Sequence, residues 1–483
     1  MQVLIRQIGM LSSPHWAFWG SLLLSFIAVL GVATVGKDAA FYLDIAQRSV
    51  EQGPLVAFKV FNWPWFPLLL AGTHVLTGLP LEASAYLWCA FFLAGTCALL
   101  VDCVRRSFPG AAPWACLVVL SVPAFNSFRS DILREYGFWF FSVLALWLAL
   151  RWYERRSWFG AVAIQVSIVM AALFRLEAIL LIAAINFCLL PDLSRRGGWM
   201  ALLKLNALPI FVALVGLTVL YQQGGFSQGR IEYFLSMLNP GQVHSKLLVM
   251  AQEMSDAVLN KYSSDDAIVL LLSGMLTVIA LSFIKLCGPF ALPYLSRLAW
   301  GSALQYWRAY KPFALAMAIY VIVLLLFFIQ ERFINSRYTS YLGLLAVPLL
   351  SLGLWLFARA HSRMARVLVA LAVLVMLDNV VSLSAKKTHY VEAGHWLSAH
   401  VDPGEGIYYD DSRIAYYAGW GYPRMDLTRE QAMSVKNASK FRYFLIEAEA
   451  EEPWLAEWLD RERRQILSQF ENRKGETVLI IGD

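Results

Sequence analysis

Charge is scarce in this sequence: 15% of its 483 residues are Asp, Glu, Lys or Arg, where soluble domains carry about 25%. A water-facing globular surface cannot be covered with so little, which excludes a soluble enzyme. Paired cysteines are lacking too. Cys89, Cys97, Cys103, Cys116, Cys188 and Cys287 all lie in or beside apolar runs with no CxxC spacing, so neither a disulfide framework nor a zinc or redox motif is encoded. His74, His244, His389 and His395 have no metal-ligand spacing with nearby Cys or carboxylates. No internal repeat of the transporter kind is visible, which weighs against inverted-repeat carriers. What is abundant is apolar: 59% hydrophobic and 14% aromatic residues exclude disorder and low-complexity classes and leave a polytopic membrane protein.

About 11 runs have the length and apolarity of a membrane-crossing helix, at 15–35, 81–101, 111–125, 136–152, 158–174, 176–190, 199–221, 267–287, 312–329, 338–357 and 365–383. Alternate connections divide the positive charge. One set holds Arg6, Arg105, Arg106, Arg151, Arg155, Arg156, Arg195, Arg196, Lys204 and further basic residues, whereas the longer connections of the other set are sparser. The positive-inside rule then puts the N-terminus in the cytoplasm and the C-terminal end outside, in a multi-pass protein of the inner (plasma) membrane with its tail in the periplasm or its equivalent. The first run has no small-residue cleavage pattern and reads as a retained helix.

Two domains are expected. Residues 1–384 form the membrane region, with an amphipathic first external loop at 36–80 and a lid-like external loop at 222–266; residues 385–483 form an extracytoplasmic α/β domain. In the latter, 407–409, 443–446 and 478–481 read as buried strands, and 391–400 and 453–467 as helices.

Polar groups concentrate in the external connections. Asp38 follows the first run, with Tyr42 one helical turn on; as a carboxylate beside an aromatic wall it suits a general base, although local sequence alone favours a helix cap. Asp131 and Glu135 are spaced to share a helical face and hold a divalent cation, while Arg129 and Arg134 suit phosphate oxygens; an Asp131–Arg134 pair on a solvated helix start fits the same residues. Arg175 and Glu177 lie between two runs, and Arg332, Arg337 and Tyr338 edge two others. Arginines gathered at one leaflet near carboxylates are what a lipid-linked phosphate or pyrophosphate needs.

The segments Gly36-Lys37-Asp38 through Ala46, Asn62-Trp63-Pro64-Trp65-Phe66-Pro67, Phe174-Arg175-Leu176-Glu177 and 332–338 resemble the polyprenyl-phosphate-sugar-dependent glycosyltransferases of the C superfamily, in the branch of protein O-mannosyltransferases and lipid A aminoarabinose transferases. Asp410-Asp411-Ser412-Arg413 is similar to the external domain of bacterial members. The resemblance implies an all-α membrane bundle with a small external α/β domain. It also implies inverting sugar transfer on the external face from a polyprenyl-phosphate donor to a lipid, glycan or protein acceptor. Asp38 becomes the base; Arg175, Arg332, Arg337, Arg129 and Lys59 the contacts to donor phosphate; Tyr42, Trp63, Glu177 and Tyr338 the contacts to sugar; and Asp131 with Glu135 a metal site, no cofactor being strictly required. Family members often show Asp-Glu where this chain has Asp38-Ala39, so no role rests on a second acid there. No nucleic-acid partner is implied. A flippase for lipid-linked glycans, or a ligase or polymerase of them, are the rival readings; the near-absence of charge inside the runs, Asp378 apart, favours an enzyme at the membrane face.

Overall fold

In the computed structural model, residues 13–194, 197–222, 237, 239–381 and 386–483 are described. Each apolar run of the sequence carries a helix. Among the described residues five segments are long and apolar enough to cross a membrane: Leu81–Ser107, Pro109–Asn126, Ser264–Leu295, Lys311–Glu331 and Ser336–Ala360. The run at 176–190 yields a 3-10 turn, Leu176–Ile179, and the eight-residue helix Leu180–Phe187, which at about 1.5 Å per residue is far short of a bilayer. The architecture is a polytopic all-α membrane bundle with a small mixed domain at its C-terminal end.

The chain divides into two compact units. The first comprises 1–27, 88–129 and 134–381; the second comprises 28–87, 130–133 and 382–483. Within the first, Ser336–Ala360 is buried along nearly its whole length and packs against Ala112–Ser121, Ala267–Cys287, Arg297–Ala309 and Lys311–Glu331. Glu135–Arg155 packs closely on Trp158–Phe174. Gly137 permits that approach, since a Cβ there would fall 2.4 Å from the Phe174 ring.

Within the second unit, the first external segment packs with the C-terminal residues. It folds as three helices, Lys37–Gln52, Leu55–Val60 and Trp65–Thr77. Its start is bound by polar contacts. Lys37 pairs with Asp411 at 3.2 Å, the Val35 N–H donates to the Tyr417 hydroxyl at 2.7 Å, and Arg413 donates to the Val35 carbonyl at 3.3 Å. An apolar pattern reports which face is buried but not which distant carboxylate a lysine will meet. Of the lid-like loop, residues 223–236 and 238 lie outside the described residues; Pro240–Ala257 is a largely exposed helix.

The C-terminal sheet has four strands, β1 Ile407–Tyr409, β2 Tyr443–Ile446, β3 Gln465–Glu471 and β4 Thr477–Gly482, in the order β1-β2-β4-β3. β1 and β2 are parallel, and β4 is antiparallel to both its neighbours. Strand alternation divides the core in two. Tyr409, Leu445, Val478 and Ile480 meet Tyr390, Ala393 and Leu397 of helix Thr388–His400, whereas Tyr408, Phe444, Leu479 and Ile481 meet Leu455 and Trp458 of helix Pro453–Glu462. The helix expected over 453–467 therefore stops early. Arg463 takes a left-handed conformation, φ 55°, and the following residues pair with β4 as an edge strand whose one exposed face hides its pattern.

The Asp411 carboxyl has no exposed surface. Burial would raise it, but hydrogen bonds from Arg413 at 2.6 and 2.9 Å, with the charges of Arg413 and Lys37, hold it below the usual carboxylate range. Its contribution to stability is complete above its unfolded value and is lost as pH falls through the depressed folded value. Hydrogen exchange of residues 35–46 should therefore accelerate as pH drops below about 4. In Asp411→Asn they should exchange fast already at neutral pH, since removing one partner of a buried pair costs about 3–5 kcal/mol.

Candidate functional site

Three helix ends in the first unit converge on one carboxylate. Glu135 is the first residue of Glu135–Arg155, Arg175 is the extended residue that ends Trp158–Phe174, and Arg337 lies in the first turn of Ser336–Ala360, capped by Asn335. Glu135 accepts from Arg175 at 3.0 Å and pairs with Arg337 at 3.2 Å. Arg175 also reaches Glu177 at 2.6 Å. Its guanidinium stands 4.9 Å from the Tyr338 ring centroid, and that of Arg337 5.7 Å from the same ring. The carboxylate side chain is only 4% exposed and the Arg175 side chain 10%. Ions this deep persist only when paired and hydrogen-bonded, and the planar fork of arginine meets that need better than lysine.

Arg175, Glu177 and Tyr338 also line a cavity of about 300 Å³. Arg134, Arg175, Glu177, Glu331 and Tyr338 supply the polar wall and Met237, Val323, Leu324, Phe327 and Phe333 much of the apolar one. Tyr320 lines it as well and donates to the Tyr338 carbonyl at 3.2 Å. Guanidiniums at one end and aliphatic and aromatic side chains beyond them suit an amphiphile with an anionic head.

Four expected site residues have other surroundings. Arg129 is buried, and it donates to Asn126 at 2.6 Å, to the Ser21 carbonyl and hydroxyl at 2.8 and 3.0 Å, and to the Ser25 hydroxyl at 2.9 Å. It ties helices together where a phosphate contact was expected. Arg332, in a left-handed conformation at the end of Lys311–Glu331, is exposed and grips Glu253 of Pro240–Ala257 through two hydrogen bonds of 2.7 and 3.0 Å. Asp131 precedes the helix that begins at Glu135, so the two share no helical face. Glu135 is moreover engaged by two guanidiniums, whose charge opposes a cation. The pair does not fit a metal, and among the described residues no three His, Cys, Asp or Glu are gathered as a metal ion would need.

The remaining expected residues belong to the second unit. Asp38 is half-buried in the first turn of Lys37–Gln52, whose N-cap is Gly36. It is not the cap residue, although the helix dipole favours a carboxylate there. Residues 35 and 37 on either side are those held by Tyr417, Arg413 and Asp411. Tyr422 packs near: its ring is 5.9 Å from that of Phe41, and its phenol is pushed up by burial and by the charges of Asp411 and Asp38. Tyr42 is buried, its ring 5.6 Å from Phe66 and 6.1 Å from Phe61. Trp63 is half-buried between two short helices, and Lys59 is exposed. Asp411 and Arg413, the residues that fix the start of the Asp38 helix, were visible as a motif, but nothing in the sequence identified Lys37 and Val35 as their partners.

The fold is of the glycosyltransferase C type. Over 96% of its length the chain is similar to the Archaeoglobus fulgidus oligosaccharyltransferase solved with zinc and sulfate, at 15% identity and TM-score 0.58, covering 72% of that chain. The same archaeal enzyme tethered to an acceptor peptide with an NVT sequon gives 14% identity and TM-score 0.55, over 96% of this chain and 74% of that one. ArnT from Cupriavidus metallidurans overlaps 95% of this chain and 96% of its own at 15% identity, but at TM-score 0.45 the overlap is too loose to carry an argument. No family model matches the chain, and no curated protein matches it in sequence.

Glu135→Gln should lower the melting temperature markedly, because it leaves Arg175 and Arg337 facing each other around a neutral amide; the cost expected is about 3 kcal/mol or more. Gly137→Val should drive Phe174, and Arg175 after it, from their positions, at a cost of roughly 1–3 kcal/mol. Thermal unfolding in detergent checks both.

Proposed function

We propose that the protein is an integral membrane glycosyltransferase that moves a sugar from a polyprenyl-phosphate donor to an acceptor on the extracytoplasmic face, with inversion. The observation that carries this reading is the cavity bounded by Arg134, Arg175 and Tyr338 at one end and by Val323, Leu324 and Phe327 beyond it. The glycosyltransferase C fold supports it. Arg175 and Arg337 would bind the donor phosphate and Tyr338 would flank the sugar. The apolar wall would take the first prenyl units.

Asp38 is assigned the base. It would accept the proton of the acceptor hydroxyl or amine as that atom attacks the anomeric carbon. The bond from that carbon to the phosphate oxygen breaks, and polyprenyl phosphate leaves with the electron pair. Charge developing on the leaving oxygen would be stabilised by guanidiniums already fixed in place, with no reorganisation at the moment of reaction. Glu177 keeps the Arg175 fork oriented. Exposed Lys59 and half-buried Trp63, on the first external segment, are assigned to the approach of substrate. The site faces the periplasm or its equivalent, with the N-terminus in the cytoplasm.

Purified protein supplied with a pool of polyprenyl-phosphate sugars and mixed lipid, glycan and peptide acceptors tests the reading. Wild type should transfer sugar. Asp38→Asn should lose about 100-fold or more in kcat with little change in donor KM, while Arg175→Gln should raise donor KM as well. A wild type that carries donor across a bilayer without consuming it would make the protein a flippase. Full activity in Asp38→Asn would remove the base assignment and favour a ligase or polymerase.

A further inference from the structure

The basic end of the same bundle carries a second cavity that the transfer reaction leaves unused. Glu135 begins and Arg155 ends one 21-residue helix, roughly 30 Å long, so the cavity lies at the far end of the first unit from Arg175. Its volume is about 520 Å³, and Arg106, Arg151, Arg155, Trp147, Cys103 and Leu150 are among the residues lining it. We propose that it is a binding site for a phosphate headgroup at the opposite membrane face.

The arginines are unequally partnered. Asp102 is fully used: it accepts from Arg105 at 2.7 Å, from Arg106 at 2.5 Å and from the Trp147 indole at 2.8 Å. Those bonds fix the indole as a platform, and Arg151 stacks on it with its guanidinium carbon 4.0 Å from the ring centroid. Among the described residues neither Arg151 nor Arg155 has an ion-pair partner, although Glu154 lines the same cavity. One turn apart on a single helix, two like charges repel. An anion between them relieves that repulsion, and stacking leaves the edge N–H groups of Arg151 free to donate.

A signal for membrane orientation needs only positive charge near the surface. It needs neither a cavity nor an indole held by a buried carboxylate. The volume admits a phosphate with its ester substituent, and Leu150 and Ala309 give that substituent an apolar wall. Anionic phospholipid and a soluble phosphate ester present the same group.

The test uses the full chain in detergent with equal phosphatidylglycerol and phosphatidylcholine, read by native mass spectrometry. A second arm reads the shift in melting temperature with inorganic phosphate. Wild type should retain the anionic lipid about 10-fold over the zwitterionic one, as charge-assisted recognition of the headgroup requires. Arg151→Gln with Arg155→Gln should abolish that preference, and Arg363→Gln, at another basic connection, should not. Lipid retention that persists in phosphate assigns the site to a headgroup. A phosphate-dependent rise in melting temperature that the double variant loses, without lipid preference, assigns it to a soluble phosphate. The proposal is overturned if wild type shows neither effect, or if the double variant, with an unchanged melting temperature in buffer, behaves as wild type in both arms.

Discussion

A buried carboxylate held between two guanidiniums is the constraint on which the first unit depends. Glu135, Arg175 and Arg337 come from three helix ends, and none tolerates burial alone. Their pairing fixes where Glu135–Arg155, Trp158–Phe174 and Ser336–Ala360 terminate relative to one another. Arg175 of this cluster, with the Tyr338 ring beside it, also lines a largely apolar cavity. The charge that locks the helices is the charge that the proposed anionic donor would meet.

The second unit solves a different problem. Asp38 sits in the first turn of Lys37–Gln52, a helix anchored on one face by buried Ala39, Ala40, Tyr42 and Leu43, and that face does not by itself fix the residues at the start of the helix. Lys37 and Val35 are instead bound by Asp411, Arg413 and Tyr417, more than 370 positions later. Residues 411–417 thus clamp the first turn of the helix that bears Asp38, the residue proposed as the base.

Composition and apolar runs made the membrane bundle legible, because twenty apolar residues in a row have few alternatives in water. Strands β1, β2 and β4 were legible as buried apolar runs, and β3 was not, since it is an edge strand with half-exposed residues. At the site, Arg175, Arg337, Glu177 and Tyr338 were found together because short connections between apolar runs must lie at one face. Arg129 and Arg332 have the same signature in sequence, yet Ser21 and Glu253 determine what they do. Local spacing likewise suggested a cation at Asp131 and Glu135. Two distant arginines turned Glu135 into an anchor for cations of the protein itself.

The most direct test of this account is a structure of the protein bound to undecaprenyl phosphate. The phosphate is predicted to lie within hydrogen-bonding distance of both the Arg175 and Arg337 guanidiniums, with the prenyl chain leaving along Val323, Leu324 and Phe327. A phosphate bound elsewhere, with Glu135 and its two arginines undisturbed and the cavity beside them empty, would contradict it.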